Sequence, residues 1–326
     1  MKRQKSSETV ESRPKKDRIL FFDIVRILCI AFIVYDHSQF RLIPDFNQLF
    51  FASGNIFFNI YTAGLAGDAV YGMIFISGAV LEYNYAGLEK LHGYAQFLFR
   101  RFVRLYPAFW MSLVVSLICF PLLWQNGLID VLFEFTGFFI VLGQGPGYIN
   151  LMGWFIAAIV SLYILFPWFS QVMRKYGFPA LVGFLVISWG LRFLLTTYNL
   201  GPVELFWRWF PLCNAFEFCL GIYLVQAGLY PKTPTRSPVV RELSDMSYYV
   251  FIFHIVVIDI FLSYLLSTLG MFDVSLVSGN YPLADTIWYI QMMAGVLIVS
   301  YLVMKIDSRL QKWILQQDTV RRFLRS

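Results

Sequence analysis

Eight separate stretches of this sequence are apolar over roughly the ~20 residues a helix needs to cross a bilayer's hydrocarbon core. They lie near residues 19–40, 66–86, 105–124, 152–171, 178–197, 209–229, 247–268 and 284–305. In lipid, every backbone N–H and C=O must find its partner within the chain, so such segments fold as helices. The pattern predicts an all-α fold, a polytopic transmembrane helical bundle of about 8–10 spans. Two further stretches set the range of that count. Residues 47–65 are rich in Phe but broken by Gly and Asn, and residues 128–144 are short for a span. Either can lie at the interface, or re-enter the membrane where protein shields its backbone.

Charge supports this reading. Only 14% of the 326 residues are charged, against about a quarter in soluble domains, too few to cover a water-facing surface. The net charge of +6 concentrates in the two ends and a few loops. It therefore reports topology and gives no reason to expect nucleic acid as a partner. Residues 1–18 read as a disordered, basic cytoplasmic tail, 19–305 as the membrane domain, and 306–326 as a basic cytoplasmic C-terminal tail. With eight full spans, Arg100, Arg101, Arg104, Arg174, Lys175, Lys232, Arg236 and Arg241 share the side of both termini, as cytoplasmic loops require. The first apolar stretch lacks a small-residue cleavage site and reads as a true span of a plasma-membrane protein. Cys29, Cys119, Cys213 and Cys219 sit in apolar segments without metal-ligand spacing, so no metal is expected.

Ionisable residues inside spans narrow the function. Each costs roughly 2.5–3.5 kcal/mol to insert near a bilayer centre and needs a partner or a task. In the first span, Arg26 and His37 are eleven residues apart. That is about 20° past three turns and about 16 Å along the axis, which places them on one face. Asp23 lies one turn before Arg26 and can pair with it, whereas Asp36 points about 100° away. Histidine suits proton removal from a hydroxyl near neutral pH, and an inner arginine suits a phosphate or carboxyl group. The plainer alternative has His37 at the outer interface and Asp23 with Arg26 as a structural pair. Arg104 lies four residues after Arg100 and three after Arg101, so the three cluster in an arrangement fit for phosphates or for ordinary interfacial anchoring. Ser247, Tyr248 and His254 occupy a late span, in which His254 needs a hydrogen-bond partner. Glu82, Arg192, and Glu217 with Asn214 are further buried polar candidates, and Glu217 can pair with an arginine.

These residues together resemble the acyltransferase 3 family of multi-pass membrane acyltransferases. FFDIVRILCIAFIVYDH resembles its first helix, IFISGAVL with Ser77 and Gly78 its second, RRFVRLYP its third, and SYYVFIFH its late Ser-Tyr…His helix. GWFIAAIVSLYILFP and FEFCLGIYL add weaker likeness, and the resemblance runs from about 19 to 305. It implies transfer of an acyl group, usually acetyl from acetyl-CoA, to a hydroxyl of a cell-envelope glycan or similar acceptor. It also implies His37 as the catalytic residue, with Arg26, Arg101 and Arg104 in activity or donor binding. Ser77, Glu82, Glu217, Ser247, Tyr248 and His254 are then candidates to support the site or hold substrate. Membrane lipids and the glycan acceptor are the expected partners. A transporter or flippase with a polar path through Arg26, His37, Glu217 and His254 is the competing reading. It is disfavoured by the lack of an internal repeat.

Overall fold

The computed structural model describes residues 16–42, 65–86, 93–142, 147–198, 210–261 and 282–325. Among them the chain forms ten helices and no strand, only an isolated antiparallel bridge between Ile19 and Pro234. The protein is thus an all-α polytopic bundle. Its first half contains α1 (Leu20–Leu42), α2 (Leu65–Tyr85), α3 (Tyr94–Cys119), the short α4 (Leu128–Glu134) and α5 (Gly153–Tyr176). Then follow α6 (Phe178–Thr197), α7 (Ala215–Gln226), α8 (Pro238–Ile260), α9 (Pro282–Gln316) and α10 (Asp318–Arg325). Helices α3, α5, α6, α8 and most of α9 are long and apolar enough to cross a membrane.

Each of the eight predicted spans has its helix, though several ends move. α3 begins at Tyr94 rather than 105, so the arginine cluster lies within the helix and not ahead of it. α8 begins at Pro238, where the Ser237 hydroxyl accepts from the Val240 N–H and Pro occupies the first turn. α7 is only 12 residues long and follows a 3-10 turn at Pro211–Asn214. Residues 128–144 form α4, turns and a 3-10 segment at Phe139–Leu142 rather than a span. The stretch at 47–65, apart from its last residue, and residues 1–15 of the basic tail lie outside the described residues.

The segment after 305 continues as helix to Gln316, because polar groups there tie α9 to α8. Buried Asp307 accepts from the Tyr249 hydroxyl at 2.6 Å and from Gln311 at 2.5 Å, and Lys305 pairs with Glu242. Beyond it, Phe323 of α10 packs edge-on against Phe99 of α3.

The core is aromatic: Phe97, Phe109, Phe166, Phe169, Phe218, Phe251 and Phe253 are all but fully buried. α6 turns Val186, Trp189 and Phe193 outward, each more than 60% exposed. A helix apolar on its outer face needs lipid to cover it. Gly177 (φ +55°) joins α5 to α6; its positive φ suits a residue without Cβ, and its N–H closes α5 on the Met173 carbonyl.

Candidate active site

The first site is built around the start of α1. Residues 18–20 are clamped by the segment leading into α8. Leu20 N–H donates to the Thr233 carbonyl and Thr235 N–H donates to the Arg18 carbonyl, both at 2.9 Å. This brings four donors onto Asp23, which is 4% exposed. Arg18 donates through Nη2 and Nε at 2.8 and 3.2 Å, and the Thr235 and Ser244 hydroxyls each donate at 2.6 Å. Arg18 also makes a bidentate pair with Asp245 at 2.9 Å. Burial disfavours the Arg18 cation, but these hydrogen bonds and the two carboxylate charges outweigh it and hold its pKa above the ordinary value.

Arg26 stands one turn beyond Asp23. It donates to the Ser244 hydroxyl at 2.9 Å, and its nearest approach to Asp23 is 3.8 Å. Asp23 therefore anchors Arg18 directly and orients Arg26 largely through Ser244. The predicted Asp23–Arg26 relation holds. Arg18, Thr235, Ser244 and Asp245 are the members that sequence reasoning missed.

Arg26 faces a cavity of about 630 Å³ bounded by α1, the end of α2, α3, α5, α8 and α9. Arg100, Arg101 and Arg104 line it, as do Ser77, Ser247 and Tyr248. Among the described residues, none of these three arginines pairs with a carboxylate. The Arg101 guanidinium lies 4.7 Å from the Tyr85 ring centroid and 5.9 Å from that of Tyr163, and its Nε is buried without a hydrogen-bond partner. A cluster of guanidiniums that forms no ion pair among the described residues, with aromatic rings beside it, is an anion-binding arrangement, although Asp17, Asp23 and Asp245 share the cavity wall. Ser77 and Ser247 spend their hydroxyls on the carbonyls of Met73 and Ser244, and Tyr248 donates to the Leu105 carbonyl. These three shape the cavity wall.

The second site lies farther along α1. Nδ1 of His37 is 3.1 Å from Nε2 of His254 and 3.0 Å from the Ile33 carbonyl oxygen. His254 is fully buried in α8, with Nδ1 2.7 Å from the Phe251 carbonyl and 3.1 Å from that of Val250. Arg26 meets Ser244, and eleven residues later His37 meets His254, ten residues after Ser244. α1 and α8 therefore run parallel, and Arg26 and His37 share the face of α1 turned to α8. Asp36 is half-buried.

The remaining candidates are held elsewhere. Glu82 accepts from Ser170 at 2.6 Å, Gln226 at 3.0 Å and Arg174 at 3.2 Å, joining α2, α5 and α7. Glu217 forms a bidentate pair with Arg192 at 2.8 and 2.9 Å, and Arg192 also reaches Asn214 and stacks on Tyr71. Neither Glu82 nor Glu217 lines the cavity. Their geometry ties helices together, because a carboxylate in lipid needs such partners. A buried acid outside the initial candidates, Glu134, accepts from the N–H groups of Tyr148, Ile149 and Asn150. Asn150 in turn donates to Ser112 and to the Ile252 carbonyl. The turn signals around Gly147 could have marked that loop, but nothing in the sequence pairs it with Glu134. Among the described residues, no group of three or more His, Cys, Asp or Glu is arranged to hold a metal ion.

No curated protein and no solved structure matches the chain. A family model described as an acyltransferase domain, Acyl_transf_3, matches residues 19–234. The matched region contains the arginine cluster and His37 and ends before α8, whose Ser244 and His254 join the site by contact. With more than half of its length matched, this chain belongs to the acyltransferase 3 family and is a multi-pass membrane acyltransferase.

Proposed function

We propose that the protein moves an acyl group, acetyl in the first instance, from acyl-CoA to a hydroxyl of a cell-envelope glycan or similar acceptor. The observation that supports this best is the arrangement along α1. One helix presents Arg26 to an arginine-lined cavity and, eleven residues on, holds His37 against His254. The rise between them is about 16 Å, a separation suited to a donor with phosphates at one end and a reactive thioester on a long arm. The phosphates of CoA meet Arg100, Arg101 and Arg104, and the adenine ring finds Tyr85 and Tyr163 beside them. Arg26 guides the arm.

In the reaction, His37 takes the proton of the acceptor hydroxyl as its oxygen attacks the thioester carbonyl. The C–O bond forms, the C–S bond breaks, and the imidazolium returns the proton to the departing thiolate. CoA is made in the cytosol and does not cross a bilayer, so the cavity end of the bundle, lined by residues 16–19 and the end of α9, is read as cytoplasmic and the membrane as the plasma membrane. A transport path through Glu217 is less well supported, since its carboxylate is occupied by Arg192.

The test is acetyl transfer from radiolabelled acetyl-CoA into envelope material, in membranes carrying wild type or His37→Ala. Label with wild type only, at equal membrane expression, is the expected result. Near-normal transfer by the variant removes His37 from the chemistry, and no label with either points to another donor or to transport.

A further inference from the structure

We infer that His254 is a positioning residue that fixes the tautomer of His37, so that the base of the reaction is Nε2 of His37. This rests on the reading of His37 as the base, but its first readout does not depend on turnover.

A carbonyl oxygen only accepts hydrogen bonds. Nδ1 of His254 lies against two of them, from Phe251 and Val250, so this nitrogen carries the hydrogen. A neutral imidazole with Nδ1–H has its lone pair on Nε2. A charged ring is disfavoured here, because His254 is fully buried among the apolar residues of α8. Its Nε2 therefore accepts, and the atom 3.1 Å away that must donate is Nδ1 of His37. The Ile33 carbonyl, 3.0 Å from the same nitrogen, independently demands a hydrogen there. Two acceptors on separate helices thus assign His37 as the Nδ1–H tautomer, and its lone pair falls on Nε2.

The consequence is chemical. When Nε2 of His37 accepts the hydroxyl proton, the ring becomes cationic and its Nδ1–H bond to His254 strengthens. His254 orients the ring before the reaction and stabilises the imidazolium during it, without touching substrate. A neutral acceptor in this place avoids the cost of a carboxylate inside the membrane.

The chain has only three histidines, His37, His92 and His254, so ¹⁵N-histidine labelling of the full-length protein in detergent gives an assignable spectrum. Expected in wild type is a protonated Nδ1 and a pyridine-type Nε2 on His37. His254→Leu removes the acceptor. It should shift the His37 proton toward Nε2, the form a free histidine side chain prefers, and lower kcat for acetyl transfer roughly 100-fold, the scale of general-base catalysis. KM for acetyl-CoA should not change. His254→Gln, whose amide oxygen can accept the same N–H, should keep the tautomer and most of kcat. If His254→Leu does not fold, the wild-type spectrum and His254→Gln decide. A wild-type His37 protonated at Nε2 overturns the inference, as does a folded His254→Leu protein with unchanged tautomer and turnover. A wild-type protein with the Nδ1–H tautomer but no acetyl transfer counts against the acyl-CoA reading alone.

Discussion

At the scale of single residues, the arginines around the cavity differ in what they already hold. Arg18 is committed to Asp23 and Asp245, and Arg26 is braced by Ser244. Arg101 instead offers its guanidinium to aromatic faces and keeps a buried Nε unbonded. Leaving a buried donor unpaired is costly, and an incoming anion would remove that cost. Arg101→Leu is therefore expected to raise KM for acetyl-CoA by roughly 10- to 100-fold, the equivalent of a charged hydrogen bond worth about 1.5–3 kcal/mol. kcat should change little. Arg101→Lys should recover only part of the affinity, because an ammonium lacks the planar fork that both stacks and bonds. Initial rates against donor concentration in membranes check both. Arg26 and His37 were legible in the sequence because ionisable groups eleven apart in an apolar run demand a shared face. Thr235 and Ser244 were not, since a lone hydroxyl more than 200 residues away carries no periodic signal toward Asp23.

At the scale of helices, the tightest joint is between α2 and α7. A Cβ added at Gly78 would collide with the carbonyl of Phe218, and one added at Gly221 with the carbonyl of Phe75 and, at 2.7 Å, with the amide of Ala79. Both obstacles are backbone and cannot turn aside as side chains do. Helices in lipid gain little from hydrophobic burial and associate through close packing of small residues, so this contact helps set the wall on which Ser77 sits. Gly221→Val is expected to cost about 3 kcal/mol, the upper part of the range for overpacking. It should appear as a lower melting temperature or lost expression in detergent. Gly183→Ala, where nothing lies within 4 Å, should be neutral or slightly stabilising, since a mid-helix Gly costs roughly 1 kcal/mol against Ala. The apolar runs located the helices because twenty apolar residues have few other fates. They misplaced the ends of α3, α8 and α9, where polar residues extend a helix by capping it or docking it on a neighbour. A hydropathy pattern holds no record of such long-range bonds.

At the scale of the whole molecule, the two sites lie at different depths of one bundle. The beginning of α1, the end of α2 and the end of α9 gather at the cavity end, while α1 leads on to His37 and His254. Basic residues crowd that end, and the parallel course of α1 and α8 runs from the arginine-lined cavity to the histidine pair. If the donor enters among the arginines, the enzyme is sided. Acetyl-CoA, too charged to cross lipid unaided, would then support transfer from one face only. Sealed inside-out vesicles given radiolabelled acetyl-CoA externally should acylate acceptor material, and sealed right-side-out vesicles should not until they are permeabilised. If the donor phosphates bind these arginines, as proposed, binding should be sensitive to ionic strength, since screening sets in over about 8–10 Å near physiological salt. Added salt should then raise KM for acetyl-CoA while kcat, if His37 is the base as proposed, holds steady. Equal transfer in both vesicle orientations would break the link between the arginine cavity and donor entry, even if His37 proved essential.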